Sequence, residues 1–516
     1  MDTASHARNQ PDKPAFIMAE SGQSMTYREL EQRSNQLAHY LRHQGLKRLD
    51  HYAVFMENNR HFIESSAAAE RTGLYVTCVN SWLTADELAY IVNNSESKVL
   101  ITSRAKLEVA AQALKQCPQI TQCLVVDGGK EALPDNCVDY DQTVSQYPVT
   151  PVNDESLGTS MLYSSGTTGR PKGILRPLPE QPPSEPLPLH LFLMDLWAYR
   201  PDMIYLSPAP LYHSAPHAAV SLAIRMGATV IVMERFDPER YLGLIEKYQV
   251  THSQLVPTMF SRLLKLPAAQ RNAYDLNSLE VAIHAAAPCP RQIKEQMIEW
   301  WGPIIHEYYG ATEGLGFTAC NSEEWLAHPG SVGKVLLGVM HIVDEHGQPA
   351  TQGNPGEIWF ETATEFEYFN DPERTAQARS PDGTRSTVGD IGYVDADGFL
   401  YLTDRATFMI ISGGVNIYPQ EAENLLITHE DVMDAAVFGV PNEDLGEEVK
   451  AVVQLVKPAA DQSAMAESLI AFCRDNLTHL KCPRTIEFMD ELPRLPTGKL
   501  YKKGLRDKYW PDKRKV

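Results

Sequence analysis

The sequence predicts an α/β protein with a large N-terminal domain of packed, mostly parallel sheets and helices, followed by a small α+β domain. Strand-like and helix-like segments alternate from about residue 160 to 310, as in a parallel sheet covered by helices. After about residue 404 the elements become shorter and their rhythm changes. The chain has 516 residues, 43% apolar and 22% charged, which is typical of a globular protein with room for several domains.

Within the N-terminal part, the apolar spacing predicts a helix over residues 27–43 and a strand over 98–101. A second helix is predicted between Asp237 and Gln249, because Asp237 is a good N-cap and Pro238 suits the first turn. The other elements predicted in this part are strands over 161–163, 204–206 and 229–233 and a helix over 290–301.

Residues 176–190 are dense in proline, which removes backbone donors and fixes φ. We therefore predict an exposed loop there, with neither helix nor central strand. In the C-terminal part, the expected elements are strands over 409–411, 435–440, 449–456 and 485–488 and helices over 419–426 and 467–477.

The net charge of −20 argues against nonspecific binding to nucleic acid or to anionic membranes, both of which favour basic faces. The polar residues 1–14 do not resemble a secretory signal, and no apolar run reaches membrane-spanning length. The cysteines lack disulfide or zinc spacing, so we expect buried thiols in a reducing cytoplasm. They are Cys78, Cys117, Cys123, Cys137, Cys289, Cys320, Cys473 and Cys482.

One segment, residues 164–173, combines hydroxyls, glycines and a lysine in the way that a polyphosphate-binding loop requires. Glycine lets backbone N–H groups approach phosphate oxygens, hydroxyls add donors, and a cation offsets the ligand's charge. The spacing is not the Walker pattern. We favour phosphate binding over a plain surface turn. The segment reads Ser164-Ser165-Gly166-Thr167-Thr168-Gly169-Arg170-Pro171-Lys172-Gly173.

Together with four further segments, this loop resembles the adenylate-forming ANL superfamily, which comprises acyl- and aryl-CoA synthetases, peptide-synthetase adenylation domains and luciferases. The resemblance extends over nearly the whole chain and is closest to the AMP-forming acyl- and aryl-CoA synthetases. The four segments are Tyr308-Tyr309-Gly310-Ala311-Thr312-Glu313-Gly314, Gly389-Asp390-Ile391-Gly392-Tyr393, Asp404-Arg405 with Ser412-Gly413-Gly414-Val415-Asn416, and Pro496-Thr497-Gly498-Lys499.

The resemblance implies a two-step reaction. A carboxylate attacks the α-phosphorus of ATP to give an acyl-adenylate and pyrophosphate, and the thiol of CoA then displaces AMP. Two unit charges about 4 Å apart repel by about 4 kcal/mol at an effective dielectric of about 20, so a cation between carboxylate and phosphate lowers the first barrier. Lys499 is the family's candidate for that cation.

The family's other roles carry over onto matching positions of this chain. Mg²⁺ would be held by Glu313, the α-phosphate would receive a hydrogen bond from Thr312, and the ribose would be bound by Asp390 and Arg405. The phosphates would be bound by Ser164, Ser165, Gly166, Thr167, Thr168, Gly169 and Lys172, and the adenine by Tyr309 and Gly310 on one side and Ala286, Ala287 and Pro288 on the other.

In this family the small domain swings between the two steps. The resemblance therefore implies an N-terminal domain over residues 1–403, a hinge at 404–407 and a mobile domain over 408–516 that carries Lys499. Ser412, Gly413 and Gly414 would then line the path of CoA. Relatives often have Lys or Asp at the place of Thr407, so the pivot residue stays open.

No acidic residue lies between Ser207 and Val220, whereas amino-acid-activating relatives place an aspartate near this region to hold the substrate ammonium group. The resemblance therefore implies that the acid is not an amino acid and that its tail is apolar. His213 matches the family's aromatic or histidine gate. The predicted pocket walls are His217, Ala218, Ala285, Gly314, Leu315 and Gly316. Several of them are small, which indicates a roomy cavity suited to a fatty, aromatic or alicyclic acid such as a steroid side-chain acid.

We therefore expect an acid:CoA ligase whose partners are the acid, ATP and CoA, with no nucleic acid and no membrane insertion, and with a homodimer as the candidate assembly. Two alternatives within the same fold transfer the acyl group to an amine or to a carrier protein. A third, from another class, is a nucleotide-binding module without catalysis. A serine hydrolase is disfavoured because the Gly-x-Ser-x-Gly pattern is absent from the sequence.

Overall fold

A computed structural model describes residues 2–129, 132–164, 171–361, 364–405, 408–413, 415–493 and 500–510, with the backbone alone at 404, 405 and 416. It divides into two compact units. The first comprises Met1–Leu255, Leu266–Ile283 and Glu365–Thr375, and the second comprises Val256–Lys265, His284–Thr364 and Ala376–Val516.

In chain order the strands are β1 (Pro14–Met18), β2 (Ser24–Thr26), β3 (His51–Phe55), β4 (Tyr75–Val79), β5 (Val99–Ser103), β6 (Gln122–Val126), β7 (Cys137–Asp139), β8 (Thr159–Ser160), β9 (Leu162–Ser164), β10 (Lys172–Leu175), β11 (Ile204–Ser207), β12 (Thr229–Val232), β13 (His252–Leu255), β14 (Val281–His284), β15 (Ile305–Gly310), β16 (Phe317–Cys320), β17 (Lys334–Leu337), β18 (Val339–Val343), β19 (Gly356–Glu361), β20 (Glu367–Tyr368), β21 (Arg385–Val394), β22 (Leu400–Arg405), β23 (Ile410–Ser412), β24 (Val415–Ile417), β25 (Val432–Asn442), β26 (Gly446–Leu455) and β27 (Thr485–Phe488).

The helices are α1 (Thr3–Asn9), α2 (Tyr27–His43), α3 (Arg60–Glu70), α4 (Ala85–Asn94), α5 (Leu107–Leu114), α6 (Tyr140–Val144), α7 (Pro188–Leu196), α8 (Ser214–Met226), α9 (Pro238–Tyr248), α10 (Pro257–Leu264), α11 (Ala268–Arg271), α12 (Arg291–Trp301), α13 (Ser322–Ala327), α14 (Pro372–Gln377), α15 (Gln420–Leu426), α16 (Gln462–Asn476) and α17 (Lys502–Arg506). In the described part of the chain, none of these helices is both long and apolar enough to cross a bilayer.

The first unit confirms the predicted α/β fold. One sheet has the order β7-β6-β5-β3-β4-β8, and the pairs along it are parallel. Every residue of β3, β4 and β5 is buried, because helices cover both faces of such a sheet. A second run of strands has the order β14-β13-β11-β12-β1-β2, and β11 lies parallel to β12 and β13. A small antiparallel sheet, β20-β10-β9, completes the unit.

Local signals account for two of the predicted helices, although only the cap of the second was predicted from the sequence. The side chain of Thr26 caps α2 while Glu29 reaches back to the backbone of Thr26, so the helix has a complete capping box. Asp237 caps α9 by accepting a hydrogen bond from the backbone N–H of Arg240, and Pro238 occupies the first turn.

The proline-rich segment is partly different from the prediction. Residues 188–190, expected in a loop, form the first turn of α7, which begins at Pro188. The prediction was wrong there because a proline at the first helical position loses no intrahelical hydrogen bond, since the first N–H groups of a helix have no partner within it.

The second unit contains three groups of strands. They have the orders β17-β16-β15, β18-β19-β21-β22 and β24-β23-β26-β25, and β27 pairs in parallel with β26. In the last group, α15 and α16 contribute Leu426 and Leu469 to an apolar core with Val437 and Val453. The expected α+β character of the C-terminal part is confirmed.

Each cysteine is a free thiol, as the spacing predicted. Seven of the eight cysteines are buried, and Cys289 is half-buried.

Candidate functional site

Two antiparallel strands flank the predicted phosphate loop. β9 and β10 pair Ser164 with Lys172 and Tyr163 with Gly173. A Cβ atom at Gly173 would lie 2.9 Å from Cζ of Tyr163, so a side chain at this position would require the ring of Tyr163 to shift. The loop that joins them lies outside the described residues, and with it the predicted phosphate ligands Ser165, Gly166, Thr167, Thr168 and Gly169.

The side chain of Lys172 lies over an aromatic ring. Its Nζ atom is 4.4 Å from the ring centroid of Tyr368, which belongs to β20. Tyr368 is buried, and β20 pairs with β10 on the side opposite β9. The sequence prediction included Lys172 but missed Tyr368, because the two residues are far apart in the chain and no local pattern links them.

The second unit brings together two residues predicted to bind the nucleoside. Tyr309, at the end of β15, donates a hydrogen bond from its hydroxyl to Oδ2 of Asp390 at 2.8 Å. Asp390 lies in β21, where the register pairs it with Arg405 of β22, so the backbones of both predicted ribose ligands are neighbours. The sheet register, which is not evident from sequence spacing, creates this proximity.

The predicted adenine segment adjoins the end of β14. Ala286 and Pro288 are exposed, and Ala287 is half-buried. Ala286 has φ of 76°, in the left-handed region that residues other than glycine rarely adopt. Such conformations are concentrated at ligand-binding sites.

A buried ion pair lies in the stretch of chain between the adenine segment 286–288 and Tyr309. Lys294 of α12 and Glu307 of β15 are buried, and Nζ lies 2.5 Å from Oε2. His284, at the end of β14, lies with its Nε2 atom 3.5 Å from the same Glu307 oxygen. Burial raises the pKa of Glu307, while Lys294 opposes that rise. The pair therefore ties α12 to the strand that carries Tyr309.

The turn after β15 holds the predicted magnesium ligand. Glu313 is buried, Thr312 is half-buried, and Gly314 closes the turn by donating its N–H to the carbonyl of Ala311 at 2.9 Å. Within the described ranges, no group of three His, Cys, Asp or Glu side chains could hold a metal ion. Glu313 thus offers one carboxylate, and a magnesium ion bound by one carboxylate together with substrate phosphates needs no larger protein cage.

Gly316, a predicted pocket wall, packs against the four-stranded sheet of the second unit. A Cβ atom there would lie 2.1 Å from Cδ1 of Phe360. Leu315 is buried, and Gly314 has φ of 75°. The ring of Phe360 therefore accounts for a glycine at position 316, independently of the size of any acid that the protein binds.

The predicted gate residue begins a helix of the first unit. His213 is the N-cap residue of α8, and its ring makes an edge contact with Tyr212, with centroids 4.5 Å apart. Asn58 holds the preceding loop by donating to the carbonyls of Ala209 and Met233 and accepting from the N–H of Leu211. Sequence reasoning missed Asn58.

The pocket candidate His217 is buried one turn further along α8. Its Nε2 atom lies 2.9 Å from the hydroxyl of Ser66 in α3, a partner that the sequence did not suggest. Burial lowers the pKa of His217 to about 4, so the ring is neutral at pH 7. Ala218, in contrast, is exposed, and Ala285 is buried.

In the C-terminal part, Ser412 is buried in β23 and Gly413 has φ of 58°. Gly414 and Lys499 lie outside the described residues, as does the side chain of Arg405. Lys502 and Glu423 form a buried ion pair with Nζ 2.8 Å from Oε1. This pair anchors α17, which begins shortly after Lys499 in the chain.

The predicted site residues divide between the two units. Ser164, Lys172, His213, His217 and Ala218 belong to the first unit. The second unit contains Ala285, Ala286, Ala287, Pro288, Tyr309, Gly310, Thr312, Glu313, Gly314, Leu315, Gly316, Asp390, Arg405, Ser412 and Gly413.

Comparison of the sequence with models of known protein families identifies the family of the chain. The family model described as AMP-binding enzyme matches residues 3–367, and that described as AMP-binding enzyme C-terminal domain matches residues 421–499. The chain belongs to the AMP-binding enzyme family. The predicted resemblance to the adenylate-forming ANL superfamily, in its acyl- and aryl-CoA synthetase branch, is confirmed.

Relatives of this AMP-binding enzyme extend over almost its full length. It is 31% identical to a 2-succinylbenzoate–CoA ligase of Bacillus licheniformis, over 96% of this chain and 97% of the relative. It is 30% identical to the long-chain-fatty-acid–CoA ligase FadD13 of Mycobacterium tuberculosis, over 97% and 96% of the two chains. The crystal structure of ATP-bound MatB from Rhodopseudomonas palustris is similar with a TM-score of 0.80 and 27% identity, over 99% of each chain.

Proposed function

We propose that this protein is an AMP-forming acid:CoA ligase that acts on a hydrophobic carboxylic acid. In the first step a carboxylate oxygen bonds to the α-phosphorus of ATP and the bond to the β-phosphate oxygen breaks, releasing pyrophosphate. In the second step the sulfur of CoA, which loses its proton, bonds to the acyl carbon and AMP leaves. The activities named for the relatives from Bacillus licheniformis and Mycobacterium tuberculosis support this reaction.

The hydrogen bond between Tyr309 and Asp390 is the observation that carries the proposal. It orients a carboxylate beside an aromatic ring, and a carboxylate is a natural double acceptor for the two hydroxyls of a ribose. The ring of Tyr309 would stack on adenine, with Ala286, Ala287, Pro288 and Gly310 around the base. Arg405 would contact the ribose beside Asp390.

The triphosphate would be bound by Lys172, Ser164 and the loop that contains Ser165, Gly166, Thr167, Thr168 and Gly169, with Thr312 donating to the α-phosphate. Glu313 would hold Mg²⁺ together with the phosphates. When bound, the metal ion neutralises phosphate charge. The buried position of Glu313 supports this role, because a desolvated carboxylate favours a cationic partner.

Lys499 would lie between the carboxylate and the α-phosphate in the first step. We propose that residues 408–516 then move about a hinge at 404–407, so that Lys499 withdraws and Ser412, Gly413 and Gly414 line the path of CoA. Glycine suits this path because a pantetheine arm needs a surface without side chains. The buried pair of Lys502 and Glu423 supports a defined orientation of the segment after Lys499.

The acid would contact His213, the N-cap of α8, together with His217 and Ala218 from that helix. It would also contact Ala285, Gly314, Leu315 and Gly316. The low pKa of His217 supports an apolar substrate tail, because a neutral ring offers no charge to a second carboxylate or an ammonium group. Fatty, aromatic and alicyclic acids all satisfy this condition. The free thiols support a reducing compartment, so we place the enzyme in the cytoplasm.

Release of pyrophosphate, measured across a panel of fatty, aromatic and alicyclic acids, tests the first step. CoA, hydroxylamine and a carrier protein offered in parallel then identify the acceptor. We expect product with CoA at the highest rate, whereas rapid product without CoA would favour an amide or carrier-protein ligase. Absence of pyrophosphate release on every acid would favour a nucleotide-binding module without catalysis.

The half-reactions test the role of Lys499. Lys499→Ala should lose adenylation but still convert a supplied acyl-adenylate and CoA to the thioester, since the lysine takes no part in the second step. Gly414→Leu should show the opposite pattern. An equal loss of both steps in Lys499→Ala would contradict the proposed domain movement.

A further inference from the structure

The contact between Lys172 and Tyr368 is built by strand pairing from distant parts of the chain. β20 is antiparallel to β10, and the register places Tyr368 opposite Ile174. Lys172 and Ile174 lie on the same face of β10 because side chains alternate along a strand. Tyr368 is therefore the diagonal neighbour of Lys172, at a spacing that long and aromatic side chains can bridge.

Several hydrogen bonds hold the segment that carries Tyr368. The N–H of Phe369 donates to the carbonyl of Gly173 at 2.8 Å, which extends the pairing with β10. The N–H of Tyr368 donates to the hydroxyl of Thr375 at 2.9 Å. Asn370 donates from Nδ2 to the carbonyl of Asn94 at 3.1 Å. These bonds hold the backbone of the segment beside β10, and the ring of Tyr368 is buried there.

The ring is suited to holding a cation that must still bind phosphate. Tyr368 exposes 5% of its surface, and its centroid lies 4.4 Å from Nζ of Lys172. A cation is attracted to the face of an aromatic ring, and the attraction is stronger when water is excluded. Unlike a carboxylate, the ring does not neutralise the ammonium group, so this contact is compatible with binding of an anion by the same lysine.

A lysine otherwise samples many rotamers, and a ligand that requires one of them must restrict the others. We propose that Tyr368 is a positioning residue for ATP, whose ring holds the ammonium group of Lys172 at the end of the phosphate loop. The proposal rests on the proposed function in one respect, namely that Lys172 binds the β- and γ-phosphates. It adds to the proposed ATP site a residue from Glu365–Thr375, the last segment of the chain that belongs to the first unit.

The test compares variants of Tyr368 by their KM for ATP and their kcat in ATP–pyrophosphate exchange. Tyr368→Leu removes the ring and should raise the KM for ATP about fivefold, the size expected for loss of one partly buried cation–π contact. Tyr368→Phe keeps the ring face and should retain most of the ATP affinity. Phe236→Leu is the matched control, because it removes another buried ring of the first unit, one that contacts Tyr241. Its KM for ATP should stay within about twofold of wild type, and the melting temperature of each variant reports any structural loss.

A double-mutant cycle with Lys172→Met separates the possible results. If the ring acts through the lysine, Tyr368→Leu raises the KM for ATP in the wild-type background and not in the Lys172→Met background. An equal rise in both backgrounds, or an equal rise in Tyr368→Phe and Tyr368→Leu, overturns the inference while leaving the ATP site intact. An unchanged KM for ATP in Lys172→Met alone refutes instead the phosphate role of that lysine, on which the inference rests.

Discussion

Replacement of Asp390 by alanine tests the proposed nucleoside site most directly. Asp390 exposes 9% of its surface and accepts the hydroxyl hydrogen of Tyr309 at 2.8 Å, so its carboxylate is oriented and largely removed from water. A hydrogen bond to a charged group contributes about 1.5–3 kcal/mol. If Asp390 accepts bonds from the ribose, Asp390→Ala should lower kcat/KM for ATP about 100-fold.

Tyr309→Phe is the matched change on the other side of the same hydrogen bond. It removes the donor to Asp390 but keeps the ring that would stack on adenine. We expect a loss in kcat/KM for ATP of only about fivefold, the size of one ordinary hydrogen bond. A much larger loss in Tyr309→Phe than in Asp390→Ala would mean that the hydroxyl, rather than the carboxylate, binds the nucleotide.

ATP–pyrophosphate exchange with ATP, 2′-deoxy-ATP and 3′-deoxy-ATP provides the decisive comparison. Wild type should discriminate against at least one deoxynucleotide, because the carboxylate of Asp390 then loses a partner while desolvated. Asp390→Ala should have lost that discrimination. If the variant discriminates by the same factor as wild type, Asp390 does not contact the ribose and the reasoning is refuted.

Three further predictions concern stability, measured by urea unfolding. Gly316→Ala should lower the free energy of unfolding by about 1–3 kcal/mol, because its Cβ would lie 2.1 Å from Phe360. Adding Phe360→Leu to this variant should recover part of the loss. If Gly316→Ala causes no loss, the ring of Phe360 moves freely. Burial lowers the pKa of His217 from 6.5 to about 4, so the unfolded state binds more protons than the folded state between those pH values. The free energy of unfolding should therefore fall by up to about 3 kcal/mol as the pH falls through that window. His217→Gln should show a shallower fall, and an identical pH profile in that variant would contradict the prediction. Lys294→Met should lower the free energy of unfolding by about 3–5 kcal/mol, because it leaves Glu307 buried without its cation. The double variant Lys294→Met with Glu307→Leu should regain most of that stability. If it regains none, the loss comes from packing and not from the ion pair.

Helices with clear local signals could be predicted closely from the sequence. α9 begins at Pro238, directly after its N-cap Asp237, and α2 begins after Thr26 with Glu29 completing the capping box. These interactions join residues at most three or four positions apart, so they act in the same way in any fold. The start of α7 at Pro188 shows the limit of such reasoning, because the effect of a proline depends on its position within the helix.

The candidate site was predictable in its residue types and only partly in its contacts. Lys172, Tyr309 and Asp390 stand in motifs that resemble a known family, so the sequence could name them. Ser66 and Asn58 could not be named, because their partners in α8 and in the loop before it lie far away in the chain. A buried serine or asparagine has no sequence pattern that distinguishes it from any other polar residue.

By itself, the sequence determined the α/β class, the Asp237 cap, the apolar faces of several helices, and the order of the motifs along the chain. Each of these depends on interactions between near neighbours, whose geometry the backbone fixes locally. The tertiary structure alone decided that Tyr368 lies beneath Lys172 and that Tyr309 meets Asp390. The first contact depends on the register between β10 and β20, which is selected by the burial of whole sheet faces. The second joins side chains of β15 and β21, which belong to different sheets, so it depends on how the chain packs over long distances in sequence.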